Sequence, residues 1–139
     1  MKRRAILLLG ATSLLSGCLG IGESRPQPRL AWIWLQNDRD ESYEFEVVVE
    51  EDGESVFSET YQLGTTLDTA NLTVDNPVDE PGHYVVQATM DGETREVDIA
   101  EYVDGDENCV GVRFSLLNNG SVDYWTKSIR ECHTVGRNR

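Results

Sequence analysis

Side chains able to do chemistry are scarce in this chain, and their spacing limits what they can do. Three cysteines (Cys18, Cys109, Cys132) and two histidines (His83, His133) stand among 25 acidic residues. Nucleophilic catalysis by a Ser/His/Asp or Cys/His set needs a positioned base. His83 sits at a corner and His133 near the tail, so no such set is assembled. Carboxylates are so frequent here that a neighbouring pair says nothing about glycosidase-type work. We therefore expect no enzyme, no catalytic residue and no cofactor. Asp104-Gly105-Asp106-Glu107-Asn108 offers oxygens of the kind Ca²⁺ gathers, about six to eight at a time. That loop lacks the closing glutamate of an EF-hand, and a loop that solvates salt is the plainer reading of Asp104, Asp106 and Glu107. Met90, His83, Cys109, Cys132 and His133 supply blue-copper residue types without the close arrangement on one hairpin. His133 adjoins Cys132 with no second ligand pair at zinc spacing.

What remains is the chemistry of a thiol. Met1-Lys2-Arg3-Arg4 is a basic n-region, and residues 5–15 are an apolar run interrupted by Thr12 and Ser13. The run is too short for a bilayer core of ~30 Å. Leu15-Ser16-Gly17-Cys18 then resembles the lipobox of prokaryotic lipoproteins. The resemblance implies that a lipid alkylates the Cys18 sulfur and that residues 1–17 are cleaved, leaving Cys18 as the N-terminus. Arg3 and Arg4, followed by Ala5-Ile6-Leu7, resemble part of a twin-arginine export signal; Tat and Sec export both stay open. A two-chain lipid anchors stably, since each buried methylene contributes ~0.8 kcal/mol. The alternative is an uncleaved N-terminal membrane helix with a buried cysteine.

Beyond residue 17 the composition changes abruptly. Nine basic residues face 25 acidic ones, a formal charge of −16, and Lys127 is the single lysine against eight arginines. Nucleic acid is excluded as a partner, because phosphate binding requires the opposite sign. An anionic membrane surface repels such a body, so the membrane is reached through the lipid on Cys18. Acid excess with few lysines keeps a protein hydrated in concentrated salt, where a Debye length of ~3 Å at 1 M screens self-repulsion. A halophilic source is expected. Cys109 and Cys132 in an exported chain suggest one disulfide, with two buried thiols as the alternative. Closing a loop of that size is worth about 3 kcal/mol.

Residues 18–29, with Gly20, Gly22, Pro26 and Pro28, read as a flexible tether, and residues 136–139 as a tail. Between them, residues 30–135 read as strands. Leu30 to Leu35 is apolar on both faces, with Trp32 and Trp34 on one side and Ile33 and Leu35 on the other. Tyr43, Phe45, Val47 and Val49 alternate with Glu44, Glu46, Val48 and Glu50. Asp52-Gly53 and Asp91-Gly92 read as hairpin turns. Phe57, Tyr61 and Leu63 are expected to face the core. A weaker strand is expected over 67–74, and Val97 and Ile99 on another. Val110, Val112, Phe114 and Leu116 run to the Asn118-Asn119-Gly120 turn, and Val122, Tyr124 and Thr126 return. The expectation is an all-β chain: an antiparallel β-sandwich of about seven or eight strands after a signal-peptide helix.

Pro81-Gly82-His83-Tyr84-Val85-Val86-Gln87-Ala88 resembles the loop-into-strand segment of immunoglobulin-like and fibronectin-III-like domains. That implies a Tyr84 hydroxyl bonded back to the corner backbone. The whole chain from Cys18 onward also resembles the small, acidic, cysteine-anchored surface lipoproteins of halophilic archaea, through Asn37-Asp38-Arg39-Asp40-Glu41 before the acidic, valine-rich strand and the Asp91-Gly92 turn. Asn71-Leu72-Thr73 and Asn119-Gly120-Ser121 are glycosylation sequons, the second in an exposed turn. Trp32, Trp34 and Trp125 line either the core or an aromatic binding face. Two functions follow. One is a lipid-anchored, extracellular module that contacts an envelope protein, and the alternative is a lipoprotein that binds a small ligand or Ca²⁺.

Overall fold

The computed structural model describes residues 26–103, 108–130 and 132. The segment 1–17 with Arg3 and Arg4, Cys18, the loop acids Asp104, Asp106 and Glu107, His133 and the 136–139 tail lie outside these.

Eight strands follow in order: β1 (Arg29–Asn37), β2 (Tyr43–Glu51), β3 (Glu54–Leu63), β4 (Asn71–Asp75), β5 (Tyr84–Met90), β6 (Glu93–Asp98), β7 (Cys109–Leu116) and β8 (Val122–Ile129). They form two four-stranded sheets, β4-β1-β7-β8 and β3-β2-β5-β6, which face each other as a β-sandwich. The alternation read in the sequence sets which side chains meet between them. Ile33 and Leu35 of β1, Phe45, Val47 and Val49 of β2, Val86 and Met90 of β5, and Val112, Phe114 and Leu116 of β7 are fully buried in one core. Leu63 is buried there as well, with Phe57 and Tyr61 packed against it, as expected.

Local chemistry makes the turns. Asp52 (φ 51°) and Gly53 (φ 85°) join β2 to β3, and Asp91 (φ 51°) and Gly92 (φ 78°) join β5 to β6. Both central positions of each turn need positive φ, which Asp-Gly tolerates and which matches the twist of paired strands.

Three local expectations are corrected. Leu67 does not begin a strand: it sits in a turn, 87 % exposed, and β4 starts at Asn71. Thr66 and Thr69 hold that turn through paired hydroxyls at 2.8 Å, a bond that competes with extended backbone. Ile99 is not on β6 but opens a 3₁₀ helix, Ile99–Tyr102, where Asp98 Oδ1 accepts the Ala100 N–H at 3.1 Å. The pairing is also not wholly antiparallel. After β6 the chain crosses to the other sheet, and β7 lies parallel to β1, with Leu35 beside Phe114. Parallel neighbours need a long connection, and everything from β2 to the 3₁₀ helix supplies it.

Asn37-Asp38-Arg39 is a polar clamp where the chain passes between sheets. Asn37 is 3 % exposed. Its Nδ2 donates to Glu41 O at 2.8 Å and Gly64 O at 2.9 Å, and its Oδ1 accepts from Arg39 N at 3.1 Å. Arg39 donates through Nε to Leu117 O (3.0 Å) and through Nη1 to Asp91 (2.7 Å). One arginine thus ties the β1–β2 connection to the β5–β6 and β7–β8 turns.

Tyr84 forms the corner that its sequence context implies. The hydroxyl donates to Glu80 O at 2.7 Å, closing the 77–83 segment over the end of the core. Tyr84→Phe leaves that carbonyl unpaired. We expect a loss of about 1–2 kcal/mol, read as a lower denaturant midpoint at unchanged slope.

Candidate functional site

β1 is apolar on both faces, and one of its faces points away from the core. Pairing registers place Trp32, Trp34 and Gln36 on the outer side of the β4-β1-β7-β8 sheet, together with Gly111, Arg113 and Ser115 of β7 and Asp123, Trp125 and Lys127 of β8. β4 contributes Asn71, Thr73 and Asp75. All three tryptophans of the chain therefore lie on the outside of the sandwich. Core packing and a surface face were both open from the sequence, and the register decides for the surface.

The face is built row by row. In the first row Trp32 lies flat across Gly111 and is 6 % exposed. A Cβ at position 111 would occupy the space of the Trp32 ring, so the missing side chain is the indole's seat. Ala31, Trp32 and Cys109 form a small buried cluster, with Trp34, Ile129 and Cys132 packed against it. In the next row Trp34, Arg113 and Trp125 stand side by side. The Arg113 guanidinium carbon is 5.2 Å from each of the two ring centroids, a cation held between two aromatic faces. Such contacts are worth about 0.5–2 kcal/mol each, more where water is excluded. Trp34 Nε1 donates to Asn71 Oδ1 at 3.1 Å, which fixes the ring. Trp125 closes the row at the sheet edge, 45 % exposed. Arg113 Nε and Trp32 Nε1 are buried without a hydrogen-bond acceptor among the described residues.

The cysteine pair tethers one end of this face. Cys109 is paired with Ile129 in the ladder, as the Asn118-Asn119-Gly120 turn dictates. A bend at Arg130 then brings Cys132 to disulfide distance of Cys109, with the Cα atoms 5.2 Å apart.

The two outer faces of the sandwich differ in charge. Alternation sends Glu44, Glu46 and Glu50 of β2 and Glu96 and Asp98 of β6 outward on the β3-β2-β5-β6 sheet, with no basic residue among the outward positions. The aromatic face carries Arg29, Arg113 and Lys127 against Asp75 and Asp123. In a strongly acidic chain this is a face without an acid excess.

The other singled-out residues are scattered. His83 Nδ1 stands 3.7 Å from Asp52 Oδ1 beside the β2–β3 turn. Asn119 is exposed, and its Oδ1 accepts from Ser121 N (3.0 Å) and Ser121 Oγ (2.7 Å). Asn71 is half-buried, its side chain engaged with Trp34. Among the described residues no three or more His, Cys, Asp or Glu side chains gather as a metal site. Sequence reasoning alone does not single out Arg113 or Gly111. The signal available was β7 itself, whose outward positions alternate with Val110, Val112 and Phe114.

The inner side of β8 adds a titratable contact. The hydroxyls of Tyr102, on the 3₁₀ helix, and Tyr124 are 3.0 Å apart. This hydrogen bond, reinforced by burial, pushes the Tyr102 pKa up to about 12. Burial raises Tyr84 and Tyr61 in the same direction. A phenol harder to ionise when folded contributes stability that is complete below pH ~10 and is lost as pH rises through the folded value. We expect the melting temperature to fall between about pH 10 and 12, and Tyr102→Phe to flatten that fall. Gly111→Ala must displace the Trp32 indole; we expect a cost of about 1–3 kcal/mol with a red-shifted tryptophan emission. Against known proteins, no family model, no curated protein and no solved structure matches the chain.

Proposed function

We propose that the protein is a lipid-anchored module on the extracellular face of the cell membrane, with an immunoglobulin-like sandwich that mediates protein–protein interaction in the cell envelope. The observation that carries the reading is the aromatic outer face. Trp125, half-exposed beside Arg113 and Trp34, lies on a surface free of the acid excess that covers the opposite sheet. Aromatic and arginine side chains are the usual anchors of protein interfaces, while acidic residues are depleted from their centres. The Tyr84–Glu80 corner supports the immunoglobulin-like assignment.

The anchor rests on the lipobox resemblance at Cys18. From Cys18 to Arg29 the chain has eleven residue steps, which reach at most ~40 Å when fully extended. The domain is therefore displayed close to the membrane, within reach of neighbouring envelope proteins. The acidic, lysine-poor composition supports a small haloarchaeal surface lipoprotein, whose carboxylate-coated sheet keeps it hydrated in brine.

Two measurements test this. Mass spectrometry of the native protein is expected to find residues 1–17 absent and a lipid on Cys18; an intact leader with a free thiol overturns the anchor. Chemical crosslinking in the native envelope is expected to join the domain to another protein chain through the aromatic face. Trp125→Ser removes about 2 kcal/mol of that binding, and Glu46→Gln on the acidic sheet leaves it unchanged. Equal loss from both variants overturns the assignment of the face.

A further inference from the structure

β8 is an edge strand, hydrogen-bonded to β7 on one side. Of the edge strands β3, β4, β6 and β8, it is the one that leaves aromatic side chains exposed, Tyr124 and Trp125, among the described residues. Natural edges are blunted by short length, bulges or charge. β4 spans five residues, and β6 carries Glu93, Arg95, Glu96 and Asp98. β8 runs eight residues with charge at Asp123 and Lys127.

The direction of its free backbone groups follows from the ladder. Leu117 N donates to Ser121 O at 2.9 Å, and the register continues through Ser115/Asp123, Arg113/Trp125 and Gly111/Lys127. In an antiparallel pair, hydrogen-bonded and non-hydrogen-bonded positions alternate. Asp123, Trp125 and Lys127 therefore face β7 with their peptide groups, and Val122, Tyr124, Thr126 and Ser128 present theirs outward. The Tyr124 N–H is met by Asp123 Oδ1 at 2.9 Å, a side chain standing where a strand partner would be.

We infer that β8 pairs with β8 of a second copy, antiparallel, about a two-fold axis through Trp125. In this register Val122 lies opposite Ser128, Tyr124 opposite Thr126, and Trp125 opposite itself. Asp123 of each copy lies opposite Lys127 of the other, on the same outer face. The outward peptide groups become the hydrogen-bonded pairs, and Trp125 occupies a non-hydrogen-bonded pair, where side chains stand closest. Centring the axis on Tyr124 instead sets Asp123 against Trp125, and centring it on Thr126 sets Asp123 against Ile129. Neither alternative pairs the charges. The dimer joins the two outer sheets into one of eight strands, with a continuous row of Trp34, Arg113 and Trp125 meeting the same three residues of the second copy. An isologous contact of this kind closes on itself and does not propagate. It names a second copy as a partner at the face assigned above and rests on that reading.

The test uses the full-length native chain, extracted in mild detergent and concentrated salt, and the same chain in its membrane. Trp125→Cys is expected to give a disulfide-linked dimer under mild oxidation, because position 125 meets itself. Lys127→Cys, two residues further along, gives none. Lys127→Asp turns both symmetry-related attractive pairs into like-charge pairs and weakens self-association about tenfold; adding Asp123→Lys restores it. Unchanged circular dichroism of each variant separates lost pairing from lost folding. Crosslinking equally at 125 and 127, or self-association that ignores the charge swap, overturns the register. A monomer at all concentrations overturns the dimer. If the Trp125→Cys chain couples to a different protein instead, the second copy is wrong while the envelope-interaction reading stands.

Discussion

A strand that is apolar on both faces has to be covered on both, and β1 imposes that demand on the whole molecule. Ile33 and Leu35 need a second sheet beneath them, and the β2 and β5 alternations supply it. Its two edges are closed by β4 on one side and by β7 on the other. The tryptophans on the opposite face receive no second layer. They are covered instead by neighbours within the sheet: Gly111 by its absence of a side chain, Arg113 by its planar cation, and the Cys109–Cys132 pair at one end. The sandwich core and the outer aromatic face are thus two consequences of a single central strand.

Charge is distributed to match. Glu44, Glu46 and Glu50 alternate with core residues on β2, so these three acids are forced outward on the sheet opposite the tryptophans. The aromatic face carries no acid excess, and Arg113 is stacked between two indole rings. In a chain with a formal charge of −16 beyond residue 17, acids thus gather on one outer face and the tryptophans on the other.

Polar residues do structural work where the chain changes sheets. Asn37 is buried with its amide fully engaged, and Arg39 reaches the ends of two hairpins. A buried amide with no partner costs more than a hydrogen bond returns, so this clamp makes the crossing at Asn37 specific. The Tyr84 corner closes the opposite connection by the same logic, through one phenol and one carbonyl.

Much of the fold was legible because strand physics is local. Period-two alternation named the core residues of β2 and β7, and Asp-Gly pairs named two hairpins. By itself the sequence determined the all-β class, the hairpin order and the split of β1 into an indole face and an aliphatic face. It failed where neighbours compete with propensity, as at Leu67, held in a threonine-bonded turn, and at Ile99, drawn into a 3₁₀ turn by the Asp98 cap. Tertiary structure alone decided that β7 runs parallel beside β1, because that pairing depends on how the intervening chain crosses the sandwich. That one choice of neighbour seats Trp32 on Gly111 and puts Arg113 between Trp34 and Trp125, residues about eighty to ninety positions apart in the chain, beyond the range over which any periodicity can be read.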